Sequence, residues 1–187
     1  MDKLLQSVKE FAFAQTKETG APSLFNLNLS NKKGQWLAEK LGANKGIVLA
    51  GTLLMDCQLG QAMKLGKIAE HIEMSAKKAD ELLTEFPDID NETKEKIVYC
   101  VRQHHGTEKF HSLEAEICCN ADCYRFASLR GFVDGLRSFE NMSTDGVLKL
   151  LDSKADEKWH SLSLDICKKE LKQQYQLIKS FIKQYYV

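Results

Sequence analysis

Five residues combine the types and positions that metal chemistry needs. Asp56 follows the apolar run Gly46–Met55, and His71 opens the next helical pattern. His104 and His105 close the one after that, and Asp122 sits in Asn120-Ala121-Asp122. Imidazole nitrogens and carboxylate oxygens are the common protein ligands of divalent transition metals. Placed at the ends of facing helices, they form an inward-facing site in a bundle. A metal held there would act as a Lewis acid and activate a water. Asp122 lies between apolar neighbours, so its carboxylate must find a metal or a hydrogen-bond donor. Without a metal, His71, His104 and His105 are its candidate partners.

The elements that must position these residues read as helices. Apolar spacings of three and four recur, and period-two alternation is scarce. A first helix carries Leu4, Leu5, Val8, Phe11 and Phe13 and ends near Thr19-Gly20, followed by a loop over 20–23. Ser30–Leu41 forms a second, with Trp36, Leu37 and Leu41 on its buried stripe. Asn44 caps a third through Met55, where Gly46 and Gly51 allow a neighbour to approach closely. Residues 56–66 read as a loop. A helix over 68–86 follows, stopped by Pro87. Asp90 or Asn91 caps the next, with Ile97, Val98 and Val101 buried, and another starts near Ser112, with Gly131 and Gly135 bending or ending it. A C-terminal amphipathic helix over about 155–186 docks Leu164, Cys167, Leu171, Tyr175, Ile178, Ile182 and Tyr185, with Lys168, Lys169, Lys172, Lys179 and Lys183 on its solvated side. The expectation is an all-α, single-domain bundle of six to eight helices spanning residues 1–187.

The chain has 187 residues, 43% apolar and 28% charged, with a formal net charge of zero. That balance gives no global field for nucleic acid or membrane. No segment has the roughly 18–20 apolar residues of a membrane span, and the N-terminus lacks the apolar core of a signal peptide. The expected location is cytoplasmic. Six cysteines without a paired C-x-x-C pattern read as reduced thiols, with Cys118, Cys119 and Cys123 filling the core around Asp122. His111 and His160 read as surface residues.

Over about residues 26–126 the order Leu53-Leu54-Met55-Asp56, Glu70-His71, His104-His105, Asn120-Ala121-Asp122 resembles the HD-domain superfamily. Trp36–Gly42 is similar to that family's early helix. The resemblance implies an all-helical fold and metal-dependent phosphohydrolase chemistry, with some relatives being di-iron oxygenases. It also implies two metal positions, one held by an early His, the paired His and both Asp residues. The other is held by the paired Asp and two later histidines. Here Met55 stands at the paired His, and the early His falls near Asn26, with Asn28 and Asn31 close by. The first position therefore keeps only Asp56 and Asp122, whereas the second keeps Asp56, His71 and His104 or His105.

The functional expectation is a phosphohydrolase acting on a nucleotide or other small phosphate ester. It would use at most one well-formed site for a divalent Fe, Mn, Zn, Mg or Ni. Asp56 and Asp122 are the catalytic candidates. Lys64 and Lys67 are the substrate-binding candidates, and Arg102, Arg125 and Arg130 are further cations near the site. The alternative is a catalytically degenerate HD domain, with no metal, that binds a ligand or a protein partner. An oxygenase would need the ligands that are missing.

Overall fold

A computed structural model of the chain describes residues 1–139 and 142–187. The described residues form ten α-helices and a short 3-10 turn, with no strand. They are α1 (Asp2–Thr19), α2 (Leu24–Leu41), α3 (Lys45–Leu54), α4 (Leu59–Lys64), α5 (His71–Thr84), α6 (Asn91–Arg102), α7 (Leu113–Ala127), α8 (Leu129–Ser138), α9 (Thr144–Ser161) and α10 (Asp165–Tyr185); the 3-10 turn is Ile68–Glu70. The all-α class agrees with the sequence pattern, in more and shorter segments.

Helix ends follow local capping chemistry. Ser23, Asn44, Asp90, Ser112, Ser128 and Ser143 each accept a backbone N–H of the first turn that follows. Ser23 starts α2 earlier than the expected Ser30. Asn26 and Asn28 therefore lie on that helix, and Leu41 at its end is exposed, not buried. Residues 56–66 contain helix α4 instead of a continuous loop. Gly60 permits it, because a Cβ there would collide with Thr19 of α1. The helix expected over 155–186 is two helices. Buried Asn120 accepts the backbone N–H of Ser163 and Leu164 and holds the chain open between α9 and α10.

Helix α7 is the axis of the bundle. It packs against α2, α3, α6, α8, α9 and α10, and eleven of its residues are buried. A helix covered on all sides carries apolar residues all round. This is why its sequence shows little amphipathic pattern. Gly51 brings α3 against α6 and α7: a Cβ would stand 2.8 Å from Cys118 Sγ. The main core spans α1 to α3 and α5 to α7 with Cys167 and Leu171 of α10, and a smaller core joins Phe132, Leu148, Leu151, Ala155, Ile178 and Ile182 across α8 to α10. All six cysteines are buried free thiols. Burial pushes the Cys57 thiol up to about 12; burial with neighbouring thiols raises Cys118, and the Cys119 contact with burial raises Cys123. They pack as small neutral groups. No helix among the described residues is long and apolar enough to cross a membrane.

Candidate functional site

The end of α3 delivers Asp56 into the interior, 4% exposed. The turn is fixed from below: Gln58 N–H donates to Ser75 Oγ at 3.1 Å. His71 begins α5 directly after the 3-10 turn, and His104 lies in the turn that follows α6. Asp56 Oδ1 stands 3.4 Å from His71 Nε2 and 3.4 Å from His104 Nε2. One ligand nitrogen from each of His71, His104 and His105 lies within 4.8 Å of the others. Residues distant in sequence thus converge on one point.

The protonation pattern of this cluster follows from its backbone contacts. His71 Nδ1 is 2.7 Å from the Ile68 carbonyl, and His104 Nδ1 is 2.6 Å from the Val101 carbonyl. A carbonyl only accepts, so each Nδ1 carries its proton and donates. In a neutral ring Nε2 is then a bare lone pair, and both face the Asp56 carboxylate. Among the described residues, Asp56 Oδ1 and His104 Nε2 are buried with no hydrogen-bond partner. Three acceptors directed at one another need a cation between them, either protons on the rings or a divalent metal. The backbone-anchored Nδ1–H is also the usual orienting contact of a metal-bound histidine. The donor set, two imidazoles and a carboxylate with a third imidazole adjacent, fits a divalent transition metal.

His71 and His105 differ in their electrostatics. Burial disfavours the charged form of His71, but the Asp56 carboxylate and the Ile68 carbonyl outweigh it and raise its pKa. Burial, His104 and Lys158 instead lower His105 to about 3, so it stays neutral. His105 Nδ1 is 3.7 Å from Glu157 Oε1.

Asp122 has a different environment. Arg125, one helical turn along α7, donates from Nη1 to Asp122 Oδ1 at 2.8 Å and also to Asp56 Oδ2. Lys158 of α9 places Nζ 2.7 Å from Asp122 Oδ2. Lys158 is 2% exposed and Asp122 is fully buried. Burial favours the neutral acid, yet Lys158 and Arg125 hold Asp122 well below the usual carboxylate range. Asp56 is likewise held well down, against burial, chiefly by Arg125. Two carboxylates and two basic side chains cancel. The expected partners of Asp122 were histidines, but its charge is met by Arg125 and Lys158. Met55 is buried beside Asp56, and Asn26 lies half-buried on α2.

The remaining candidates lie elsewhere. Lys64 is exposed, and Lys67 pairs with Glu70 at 3.3 Å on the surface. Arg102 pairs with Glu73, and Arg130 lies over the Phe25 ring. His111 stacks on Tyr99, and His160 is exposed. Sequence reasoning missed Lys158. It continues the buried spacing Leu148, Leu151, Ala155 of α9, and a lysine on an apolar stripe is the signal that marks it.

The same backbone arrangement occurs in solved structures. A Lactobacillus plantarum protein superposes with a TM-score of 0.73 at 15% identity, covering 100% of this chain and 96% of its own. An HD superfamily hydrolase from an uncultured Thermotogales bacterium gives 0.68 at 14% identity, covering 97% and 90%. An HD-superfamily hydrolase from Bacillus thuringiensis gives 0.64 at 14%, covering 99% and 96%. The fold is that of the HD superfamily. No protein-family model and no curated protein matches the sequence. Within the HD fold, the set Asp56, His71, His104 and His105 occupies one corner of the interior, and Asp122 with Arg125 and Lys158 fills the adjoining one.

Proposed function

We propose that this chain is a single-metal phosphohydrolase acting on a small phosphate ester such as a nucleotide. The observation that carries the reading is the convergence of Asp56 Oδ1, His71 Nε2 and His104 Nε2, buried acceptors with a cation's place between them. A divalent metal bound there supplies Lewis activation of a water and of a phosphoryl oxygen.

The protein's own groups have separable tasks. Asp56, His71 and His104 would hold the ion, with neutral His105 as a further donor. The Ile68 and Val101 carbonyls fix both rings with Nε2 inward. Arg125 keeps Asp56 ionised and holds its second oxygen. With Asp122 balanced by Lys158 and Arg125, the position beside it offers little to a second metal. Hydrolysis is therefore slower than in a two-metal relative.

Assays of phosphate monoesters, diesters and nucleotides with Mn²⁺, Zn²⁺, Fe²⁺, Mg²⁺ or Ni²⁺ test the reading. Turnover should depend on added metal and vanish in Asp56→Ala. Turnover unchanged by that substitution refutes the site. A second reading is a non-catalytic binding domain. Buried Met55 and the Arg125 clamp on Asp56 favour it. No turnover on any of these esters, whichever metal is supplied, would select it.

A further inference from the structure

Helices α8 and α10 share an apolar face that the other described residues leave uncovered. Leu129 and Val133 stand one turn apart on α8, and Leu177 and Phe181 one turn apart on α10. All four are between 38% and 53% exposed. They form one surface. Gln174, on the same flank of α10 as Leu177 and Phe181, accepts the Leu129 N–H at 3.1 Å, and the Phe181 ring meets Phe132 edge-on with centroids 5.7 Å apart. Single exposed apolar residues are common, whereas a contiguous group marks an interaction site. Beside this group α10 presents Gln173, Gln176, Ser180 and Gln184, all exposed and none charged, in a chain that is 28% charged. Lys172, Lys179 and Lys183 fall on the other side of the helix, where Lys179 pairs with Asp152 and Asp156 of α9. Depletion of charge around an aromatic centre is the compositional mark of a protein interface.

We infer that this face joins two copies of the chain about a two-fold axis. The neutral border selects that occupant. A two-fold axis sets the same patch on both partners, so a lysine or glutamate border would meet its own charge and repel. Glutamine escapes this, because its amide both donates and accepts and pairs with a second glutamine. The opposite border, on α8, carries Arg130 and Arg137 with Asp134, so a second copy finds both signs there. A charged partner or an anionic bilayer would meet no complementary field along this strip of α10. Area is also sufficient. Half-exposed side chains of this size offer on the order of 100 Å² each, and with the neutral border the face approaches the roughly 800 Å² per partner of a standard interface. Neither the histidine cluster nor Asp122 lies on it, so the inference is independent of the phosphohydrolase reading.

Sedimentation velocity of the full chain, from about 1 to 200 µM, tests this. It should show a monomer–dimer equilibrium with a dissociation constant on the order of 10 µM or tighter, unchanged by chelator. Leu177→Glu and Phe181→Glu should each weaken it by about 100-fold or more. Gln173→Lys with Ser180→Lys removes no apolar contact within the chain and should weaken it by about tenfold or more, with part of the loss restored by added salt. Leu65→Glu, at an exposed apolar residue outside the face, should leave it unchanged. Thermal unfolding of each variant checks that it folds. Three results would overturn the proposal: a chain that stays monomeric at every concentration, including one that binds phosphatidylserine vesicles instead; a dimer that all the face variants leave intact; or a dimer lost in Leu65→Glu and kept in Leu177→Glu.

Discussion

Two neighbouring corners of the interior use the same carboxylate chemistry and reach opposite results. Around Asp122 the positive charge is built into the chain, as Arg125 and Lys158. Around Asp56 Oδ1 and the histidines, buried acceptors face one another with no lysine or arginine between them among the described residues. The difference lies in which side chain stands within reach of each oxygen. A buried carboxylate must be compensated, and a long basic side chain does this as well as a metal. The protein-supplied cation makes the Asp122 corner independent of metal supply, at the loss of the open coordination position that chemistry needs. Asp56 belongs to both corners, one oxygen to Arg125 and the other toward the rings.

This contrast can be broken most forcefully at Arg125. Arg125→Met leaves Asp56 and Asp122 facing each other with Lys158 as the remaining cation, and should cost about 3–5 kcal/mol of stability in urea unfolding. Added Mn²⁺ or Zn²⁺ should recover part of that loss in the variant, and more than it stabilises the wild type. A double change, Asp122→Asn with Lys158→Met, removes the pair together and should cost less than Lys158→Met alone, because no buried charge is left single.

The histidine corner should respond in binding rather than in folding. His104→Ala should weaken metal affinity by about 100-fold or more, beyond the usual effect of an orienting contact. Its acid sensitivity has a defined sign. His105 is held down to about 3 from an ordinary 6.5, so the unfolded chain binds the extra proton between those values. Stability falls as pH drops below about 6.5 through this group. His71 acts oppositely: its raised pKa gives metal-free protein a contribution that is present below pH 6.5 and lost as pH rises through the folded value. His105→Gln should flatten the acid-side loss in pH-dependent unfolding. Smallest of all, Lys64→Ala and Lys67→Ala should change stability within about 0.5 kcal/mol and leave metal affinity unaltered, as solvated surface changes do.

The legible parts of this chain were those written in local chemistry. Asn44, Asp90 and Ser112 announce helix starts, and α6 and α10 show their buried stripes. Asp56, His71 and His104-His105 were marked by their types at segment ends and by the order that resembles the HD superfamily. Less was visible where the cause is tertiary. The start of α2 is masked because Asn26 and Asn28 disfavour helix interiors, while Phe25, Leu27 and Leu29 suggest alternation. Asn120 breaks the chain at Ser163 and Leu164 through contacts no periodicity reports. Arg125 stands one turn from Asp122 and reads as a nearby cation, but its reach to Asp56 depends on how α3 packs on α7. Lys158 comes from α9, and its pairing with Asp122 appears only once those helices meet.

The most direct test is elemental analysis of protein purified without chelator, alongside His104→Ala and the Asp122→Asn, Lys158→Met double variant. One divalent metal per chain, lost in His104→Ala and kept in the double variant, is the predicted result. Two metals per chain, or one that survives His104→Ala and disappears with the Asp122 pair, would contradict it.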